Sequence, residues 1–391
     1  MSEWQNYLND KVREISPSGI RRFFNMTAEM NDVISLGVGE PDFVTPWHIR
    51  ESCVYSLEKG YTTYTANQGI PILREAISIY LETFYNVKYD PKTQLLVTVG
   101  VSEALDLALR VILQHGDEVL IPDPCYVSYT PCATLAGGCP VSIATKPENE
   151  FKLTADMIEK SVTKKTKALL LCYPNNPTGA VLTQKELEDI AEVVDYHDLI
   201  VISDEIYDRL TYREKHTCFA SLPKMKERTI LLNGFSKAYA MTGWRVGYAA
   251  SNVDFIEAMN KIHQYTMLCA PITAQMAAVE ALKNGYQSMI KMVQQYDARR
   301  RMVVKAFNEM GLHCFEPGGA FYAFPDIRST GLSSEKFAEK LLLETKVAVV
   351  PGNAFGRAGE GFVRCSYAAS VSDLTEAMKR ISEFVSKTLK S

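Results

Sequence analysis

The sequence predicts an α/β protein built on a mostly parallel sheet. From about residue 94 onward, short runs rich in β-branched and apolar residues alternate with helical patterns. This alternation is typical of strands joined by crossover helices, which cover both faces of a parallel sheet. With 391 residues, the chain is also long enough for two domains with separate cores.

The first predicted strand of this sheet covers residues 94–99. It runs through Gly100 into a helix that ends near Gly116, since glycine commonly follows the last helical turn. Four apolar residues recur at helical spacing and are expected to face the core: Leu105, Ala108, Leu109 and Ile112.

Three further strands are predicted over residues 168–172, 199–203 and 229–233. The helix after the second strand begins at Thr183, and Glu186 three residues later completes a capping box. The segments before about residue 45 and after about residue 285 do not continue the alternation cleanly.

One basic cluster lies in the second of those segments. Arg299, Arg300 and Arg301 precede the apolar residues 302–304. We expect the three arginines to form the solvated face of a helix.

Composition argues against several classes of protein. The net charge of −4 provides no basic footprint for nucleic acid or an anionic membrane. The nine cysteines are odd in number and include no C-x-x-C pair, which favours free, mostly buried thiols over disulfides or a zinc site. No apolar run approaches ~20 residues, and the N-terminus has no cationic apolar leader. The expected location is cytoplasmic, and no metal is predicted.

Lys237 follows the apolar stretch 229–232 and is expected on a loop at the carboxyl end of a strand. It lies among small and aromatic residues with little other charge, whereas a surface lysine usually has charged neighbours. Arg245 lies eight residues further on. An amine that bonds an aldehyde cofactor and a planar cation that holds a phosphate are the parts of a Schiff-base enzyme.

Four polar or glycine positions follow predicted strands: Gly100, Asn176, Asp204 and Lys237. Ligands of open α/β sheets bind at the carboxyl ends of strands, so these positions are expected to meet in one site. Gly100 leads into a helix start, where free amides can bind an anion. The carboxylate of the site is either Asp204 or its neighbour Glu205.

The run Ser236-Lys237, seven residues, Arg245-Val246-Gly247 resembles the signature of the class I and II aminotransferases, enzymes of fold type I that use pyridoxal 5'-phosphate (PLP). The resemblance extends from residue 34 to residue 366 and is closest to the I-gamma subgroup of prokaryotic aspartate and aromatic aminotransferases. It implies a large PLP-binding domain over residues 46–285. It also implies a smaller α+β domain formed by residues 1–45 and 286–391.

The resemblance implies how the PLP ring is held. Lys237 is expected to form the Schiff base and to move the substrate proton. By the D-E-x-Y pattern, Asp204 rather than Glu205 pairs with the pyridinium nitrogen, and Tyr207 contacts the phenolic oxygen. Asn176 of the N-P-T-G motif binds the same oxygen, and Tyr126 stacks on the ring.

The resemblance also assigns the phosphate of PLP to Val101, Ser102, Ser236 and Arg245. Tyr64 corresponds to a tyrosine that relatives lend to the neighbouring subunit, which implies a homodimer. The chain departs from the family at Gly234, where many relatives carry a serine, so the phosphate site is expected to have one hydroxyl fewer.

Substrate binding is assigned in the same way. Arg364 is expected to grip the α-carboxylate with two parallel hydrogen bonds. Gly39 and Asn176 are expected to approach the same carboxylate.

The implied reaction is ping-pong transfer of an amino group from an L-amino acid to a 2-oxo acid such as 2-oxoglutarate. Some aspartate aminotransferases of the subgroup carry a lysine at the position of Ser102, and its absence favours an aromatic donor. Aspartate transamination and a PLP-dependent β-lyase reaction remain alternatives. A third alternative, a ligand sensor within a transcription regulator, would need a DNA-binding extension. The catalytic pattern already starts near residue 34, which argues against this alternative.

Overall fold

The computed structural model describes residues 3–15 and 30–389. Its largest feature is a seven-stranded sheet with the strand order β2-β8-β7-β6-β5-β3-β4. The strands of the described chain are β1 Ile34–Ser35, β2 Leu95–Thr98, β3 Glu118–Asp123, β4 Cys139–Ala144, β5 Thr166–Leu171, β6 Ile200–Asp204, β7 Thr229–Gly234, β8 Gly247–Ala250, β9 Tyr322–Ala323, β10 Val347–Ala348, β11 Val350–Pro351 and β12 Val363–Ser366.

The large sheet is mostly parallel, as the sequence predicts. Only β8 runs against its neighbours β2 and β7, so the other six strands share one direction. Each predicted strand is present, with bounds shifted by at most two residues. All residues of β2 and β7 are buried, because helices cover the sheet on both faces.

The helices of the described chain are α1 Asp10–Glu14, α2 Trp47–Glu58, α3 Pro71–Tyr85, α4 Gly100–Ile112, α5 Tyr129–Leu135, α6 Ala155–Glu159, α7 Gln184–Tyr196, α8 Val253–Thr266, α9 Ile272–Asn284, α10 Tyr286–Glu309, α11 Ser334–Thr345 and α12 Val371–Thr388. Helix α4 buries the predicted apolar face, which packs under the sheet. The capping box of α7 forms as predicted, since Glu186 accepts the Thr183 amide and Thr183 accepts the Glu186 amide.

Strands β9 to β12 lie outside the large sheet. Strands β11, β12 and β9 form an antiparallel three-stranded sheet, in which β12 is central. Strand β1 pairs in parallel with β10, which brings residues near 34 against residues near 347. A segment before residue 45 and a segment after residue 285 therefore share a sheet.

The prediction of a solvated arginine face on α10 was wrong for two of the three residues. Arg299 and Arg300 are only 6% and 3% exposed, whereas Arg301 is exposed. Arg299 donates to Asp42 at 2.7 Å, and Arg300 donates to Glu316 at 2.6 Å. Asp42 and Glu316 come from other segments, whereas Asp297, which also accepts from Arg300 at 2.7 Å, lies on α10 itself, so the local pattern of α10 could reveal only part of this pairing and not the burial.

All nine cysteines are free thiols, five of them buried. Among the described helices, none is long and apolar enough to cross a membrane.

Candidate active site

The predicted site residues meet at one edge of the large sheet. Strands β2, β5, β6 and β7 run in the same direction, so their carboxyl ends lie at that edge. Gly100, Asn176 and Lys237 follow β2, β5 and β7, and Asp204 is the last residue of β6. The parallel sheet thus converts four positions far apart in sequence into neighbours.

Lys237 is half-buried and faces aromatic rings. Its Nζ donates to the Gly39 carbonyl at 2.5 Å and lies 5.6 Å from the centre of the Phe321 ring. Burial, followed by the positive charge of Arg364, lowers the pKa of Lys237 to about 8. A larger share of the amine is therefore uncharged near neutral pH, which makes it a usable nucleophile and base.

Asp204 is 6% exposed and keeps two hydrogen bonds. The Tyr129 hydroxyl donates to one carboxylate oxygen at 2.8 Å, and the Ile206 amide donates to the other at 3.2 Å. Burial raises the pKa of Asp204 to about 6, although these bonds and the charge of Lys237 oppose the shift. The neighbouring Glu205 bonds a different set of residues, described below, so the two carboxyl groups occupy different surroundings.

Arg364 on β12 is 3% exposed and reaches across to the large sheet. Its guanidinium donates to the Asn176 side-chain oxygen at 2.8 Å and to the Gly37 carbonyl at 2.6 Å. The Tyr322 and Phe355 rings lie against it, with centres at 4.4 and 4.6 Å. Its Nε has no partner in the described part of the chain. A buried donor of this kind is suited to an anionic ligand.

Tyr207 and Tyr322 face each other beside this arginine. Their hydroxyl oxygens are 2.8 Å apart, and burial raises the pKa of Tyr207. Gly39 packs tightly here, because a Cβ at that position would lie 2.6 Å from the Tyr322 hydroxyl and 3.7 Å from the Arg364 guanidinium. The backbone of Gly39 thus comes close to the arginine because no side chain intervenes.

The other end of the site is built around the first turn of α4. Gly100 has a φ of +74°, and a Cβ there would lie 2.5 Å from the Arg245 guanidinium. A Cβ on Gly247 would meet the Val101 amide nitrogen at 2.8 Å. Val101 and Ser102 are first-turn residues, whose amides have no carbonyl partner within a helix. This turn therefore combines free amides, a close glycine backbone and the Arg245 guanidinium, an arrangement suited to binding an anion.

Two side chains complete that end. Ser236 is buried, and its hydroxyl makes no hydrogen bond within residues 3–15 and 30–389. Arg245 is exposed and donates to the Thr242 carbonyl at 3.0 Å. At the departure from the family pattern, a Cβ on Gly234 would lie 3.0 Å from the Gly247 backbone and 3.1 Å from Val101. A serine at Gly234 would therefore need these neighbours to move.

Two predicted residues stand at the periphery. Tyr126 is half-buried, and its ring packs edge-on against Tyr129 with centres 5.5 Å apart. Tyr64 is 82% exposed and lies on the loop between α2 and α3. Within one chain, Tyr64 therefore lies apart from the buried residues of the site.

Sequence reasoning missed Tyr129, Tyr322 and Phe355. Tyr129 follows Tyr126 by three residues, and a helix start at this point would have placed both rings on one side. Tyr322 and Phe355 carry no local signal, because their neighbours in the site come from distant parts of the chain.

Comparison with known proteins agrees with this geometry. The family model described as aminotransferase class I and II matches residues 31–381. The putative aminotransferase YugH of Bacillus subtilis is 56% identical, over 98% of this chain and 99% of its own. An aspartate aminotransferase of Pyrococcus abyssi is 50% identical, over 96% and 97%. The crystal structure of an aromatic aminotransferase from Pyrococcus horikoshii superposes with a TM-score of 0.90 at 49% identity, covering 94% of this chain and 99% of that one.

Proposed function

This chain belongs to the class I and II aminotransferases, and from that premise we propose that it moves the amino group of an aromatic L-amino acid to 2-oxoglutarate or a similar 2-oxo acid. The mechanism is ping-pong, and the cofactor is PLP. One observation carries the proposal. A lysine with a lowered pKa, a buried carboxylate and a buried guanidinium act on one another in a single site: Lys237, Asp204 and Arg364.

The residues fit the ring of PLP. The Asp204 carboxylate receives two protein hydrogen bonds and has further acceptor capacity for a pyridinium nitrogen. The oxygen of Asn176 is taken by Arg364, which leaves the amide hydrogens of Asn176 for the phenolic oxygen. The Tyr207 hydroxyl supplies a second donor for that oxygen, and Tyr126 a ring for stacking.

The residues at the first turn of α4 also fit the phosphate of PLP. The glycine-lined turn of α4 has room that a side chain at Gly100 or Gly247 would fill. The Val101 and Ser102 amides, the unpartnered Ser236 hydroxyl and the Arg245 guanidinium can all donate to a phosphate dianion.

When bound, PLP supplies an aldehyde that condenses with amines and a pyridine ring that draws electrons away from the substrate Cα. The chain supplies the rest. Arg364 binds and orients the α-carboxylate of the amino acid, with the Gly39 backbone close by. Lys237, as the free amine, would take the proton from the substrate Cα and hold it for return, and its pKa of about 8 suits this role in neutral conditions.

Aromatic side chains are the proposed preference because of what surrounds the arginine. Tyr322 and Phe355 present rings against Arg364. Ser102 stands where some aspartate aminotransferases have a lysine for a second carboxylate. The 50% identity to a protein named aspartate aminotransferase keeps aspartate as the second candidate donor.

Visible spectroscopy of the PLP-loaded protein tests the reaction. Phenylalanine, tyrosine, aspartate and alanine are added one at a time without a 2-oxo acid, and the expected result is conversion of the cofactor band to that of the aminated cofactor. Steady-state kcat/KM with 2-oxoglutarate then ranks the donors, with the aromatic amino acids expected ahead. Aspartate far ahead of both would make the chain an aspartate aminotransferase. Release of ammonia instead of conversion would indicate a β-lyase.

The active form that we propose is a homodimer in which Tyr64 reaches the phosphate site of the partner subunit. Support comes from an apolar surface around the Tyr64 loop, where Tyr265 and Met267 are also exposed. Asn67 donates to the Leu268 carbonyl at 2.6 Å, so the two loops lie side by side. Large apolar patches on a surface usually mark association sites. Light scattering on the eluting protein should give twice the chain mass of 43.8 kDa.

The proposed domains are residues 46–285 for PLP binding and residues 1–45 with 286–391 for the smaller unit. The pairing of β1 with β10 supports this grouping, because it joins the two outer segments. A cytoplasmic location is proposed from the nine free thiols.

A further inference from the structure

Glu205 is the acidic neighbour of Asp204 directly after the end of β6, and the structure places the two carboxylates on opposite sides of the chain there. Side chains of a strand alternate between faces, so residues 203 and 205 share one face while residue 204 lies on the other. The Ser203 hydroxyl accordingly donates to Glu205 at 2.8 Å, whereas Asp204 meets Tyr129. Glu205 is therefore not a second carboxylate of the cofactor site.

Glu205 is buried but fully partnered. Besides Ser203, it accepts the Phe219 amide at 3.0 Å, and His216 lies 2.7 Å away through Nε2. Its own amide donates to the Leu232 carbonyl of β7 at 2.8 Å. A buried carboxylate is stable only when donors compensate its charge. These bonds tie the exit of β6 both to β7 and to the segment from His216 to Phe219.

His216 supplies the positive partner. Burial alone would lower the pKa of His216, but the charge of Glu205 and their hydrogen bond outweigh it, so the pKa is raised. Asp208 acts in the same direction and Arg209 against it. The Tyr85 ring packs edge-on against the imidazole at 5.6 Å, and the neutral groups Tyr89, Cys218 and Tyr248 surround Glu205.

We propose that Glu205 and His216 form a positioning pair for transamination, which holds the β6 exit turn so that Asp204 and Tyr207 face the cofactor, and which balances the Glu205 charge beside Asp204. The inference rests on the proposed role of Asp204 at the ring nitrogen. Neither residue of the pair touches the reacting atoms.

The charge balance has a defined consequence for Asp204. Burial is the main cause of its pKa near 6, and the Glu205 charge pushes that pKa further up, while Tyr129, the Ile206 amide and Lys237 push it down. If the positive charge of His216 is removed, Glu205 stands uncompensated, and Asp204 holds its proton to a higher pH. Neutralising Glu205 as well removes this effect.

The test compares His216→Gln, Glu205→Gln and the double variant in the PLP-loaded protein. Glutamine keeps a donor at 216 and an acceptor at 205, so the hydrogen bonds change less than the charges do. The acid limb of the pH profile of kcat, measured at saturating amino acid, should move to higher pH in His216→Gln, by on the order of one pH unit. It should return to the native position in the double variant, and it should not move up in Glu205→Gln. KM for the amino acid should stay within about twofold, because Arg364 is untouched.

A second readout is independent of turnover: the visible cofactor band is titrated with pH in each loaded protein, and its acid transition should move in the same order. A native protein that no amino acid converts would refute the proposed function, while this titration would still report on the pair. If the two single substitutions each lowered kcat and the double variant had the lowest kcat, the pair would give only ordinary structural support, and the proposal would be overturned. An unmoved limb in His216→Gln would also overturn it. Should that variant not fold, an upward shift in Glu205→Gln decides against the proposal.

Discussion

The two ends of the candidate site are built in different ways. At the lysine end, which contains Lys237, Asp204 and Arg364, the carboxylate and the guanidinium are buried and already hydrogen-bonded to neutral side chains and to the backbone. At the end where we propose that the phosphate of PLP binds, called the phosphate end, Gly100 and Gly247 bring the backbone close to the first turn of α4, and the cation Arg245 is exposed.

This difference separates two tasks. Buried charges have large effects on reactivity because the surrounding dielectric is low and their partners are fixed. The exposed Arg245 lowers the pKa of Lys237 less than burial and Arg364 do, so exposed charges and backbone amides hold an anion with a smaller effect on the chemistry. Substitutions at the lysine end should therefore lower turnover or substrate binding, and substitutions at the phosphate end should lower cofactor affinity.

The largest expected loss comes from Lys237→Ala. Without the amine there is no base at Cα, so kcat should fall by at least the roughly 10²–10⁴-fold of general acid–base catalysis. Lys237→Ala should still bind PLP, but its visible spectrum should lack the Schiff-base band. Lys164→Ala, at an exposed position, serves as the control and should be unchanged. Native-like turnover in Lys237→Ala would remove the lysine from the mechanism.

Asp204→Asn should lower kcat by about 10²–10³-fold, as losses of preorganised electrostatic groups do. The shape is kept, so the loss reports the charge. Tyr129→Phe removes one of the two hydrogen bonds to the carboxylate and should cost less, about tenfold. If Tyr129→Phe were the worse variant, the tyrosine and not the carboxylate would be the main group at this end.

Arg364→Lys should raise KM for the amino acid. It should lower kcat/KM roughly 100-fold, which corresponds to a loss of about 3 kcal/mol in transition-state stabilisation. A lysine cannot provide the planar fork that contacts Asn176 and Gly37 while it binds a carboxylate. PLP affinity, measured by equilibrium dialysis, should change little. A fall in PLP affinity as large as the loss in kcat/KM would contradict the division between the two ends.

Arg245→Gln sharpens the comparison from the other end. PLP should dissociate about tenfold more readily, because one charge-assisted hydrogen bond to the phosphate is lost. At saturating PLP, kcat should remain near the native value. Pyridoxal, which lacks the phosphate, is the matched probe, and its affinity should not change. A loss of kcat at saturating cofactor would show that the phosphate end also governs chemistry.

The last expected effect is on stability, which Asp204→Asn should raise although it lowers activity. The pKa of Asp204 is raised from 3.8 to about 6 in the fold, so its ionisation destabilises the folded protein above pH 6 by at most about 3 kcal/mol. The cofactor-free protein should gain stability as pH falls from 6 toward 4. Asp204→Asn should melt a few degrees higher at pH 8 and lose this dependence. Equal melting curves at pH 5 and pH 8 for both proteins would contradict the burial cost.

Much of the site followed from local pattern. The spacing of Lys237 and Arg245, the glycine turn after β2 and the polar residues at strand ends are properties of short segments, and parallel strands bring such ends together. The capping box at Thr183 and the buried face of α4 were predictable for the same reason.

By itself, then, the sequence determined the fold class, the catalytic lysine as a candidate and the family. Only the tertiary structure decided which neighbours each charge meets. Arg364 bonds Asn176 across 188 residues, and Asp204 and Glu205 meet different partners on opposite sides of the chain at the end of β6. Arg299 and Arg300 are buried against carboxylates of other segments. Such pairings depend on how distant elements pack, whereas periodicity and spacing record only what lies within a few turns or one strand.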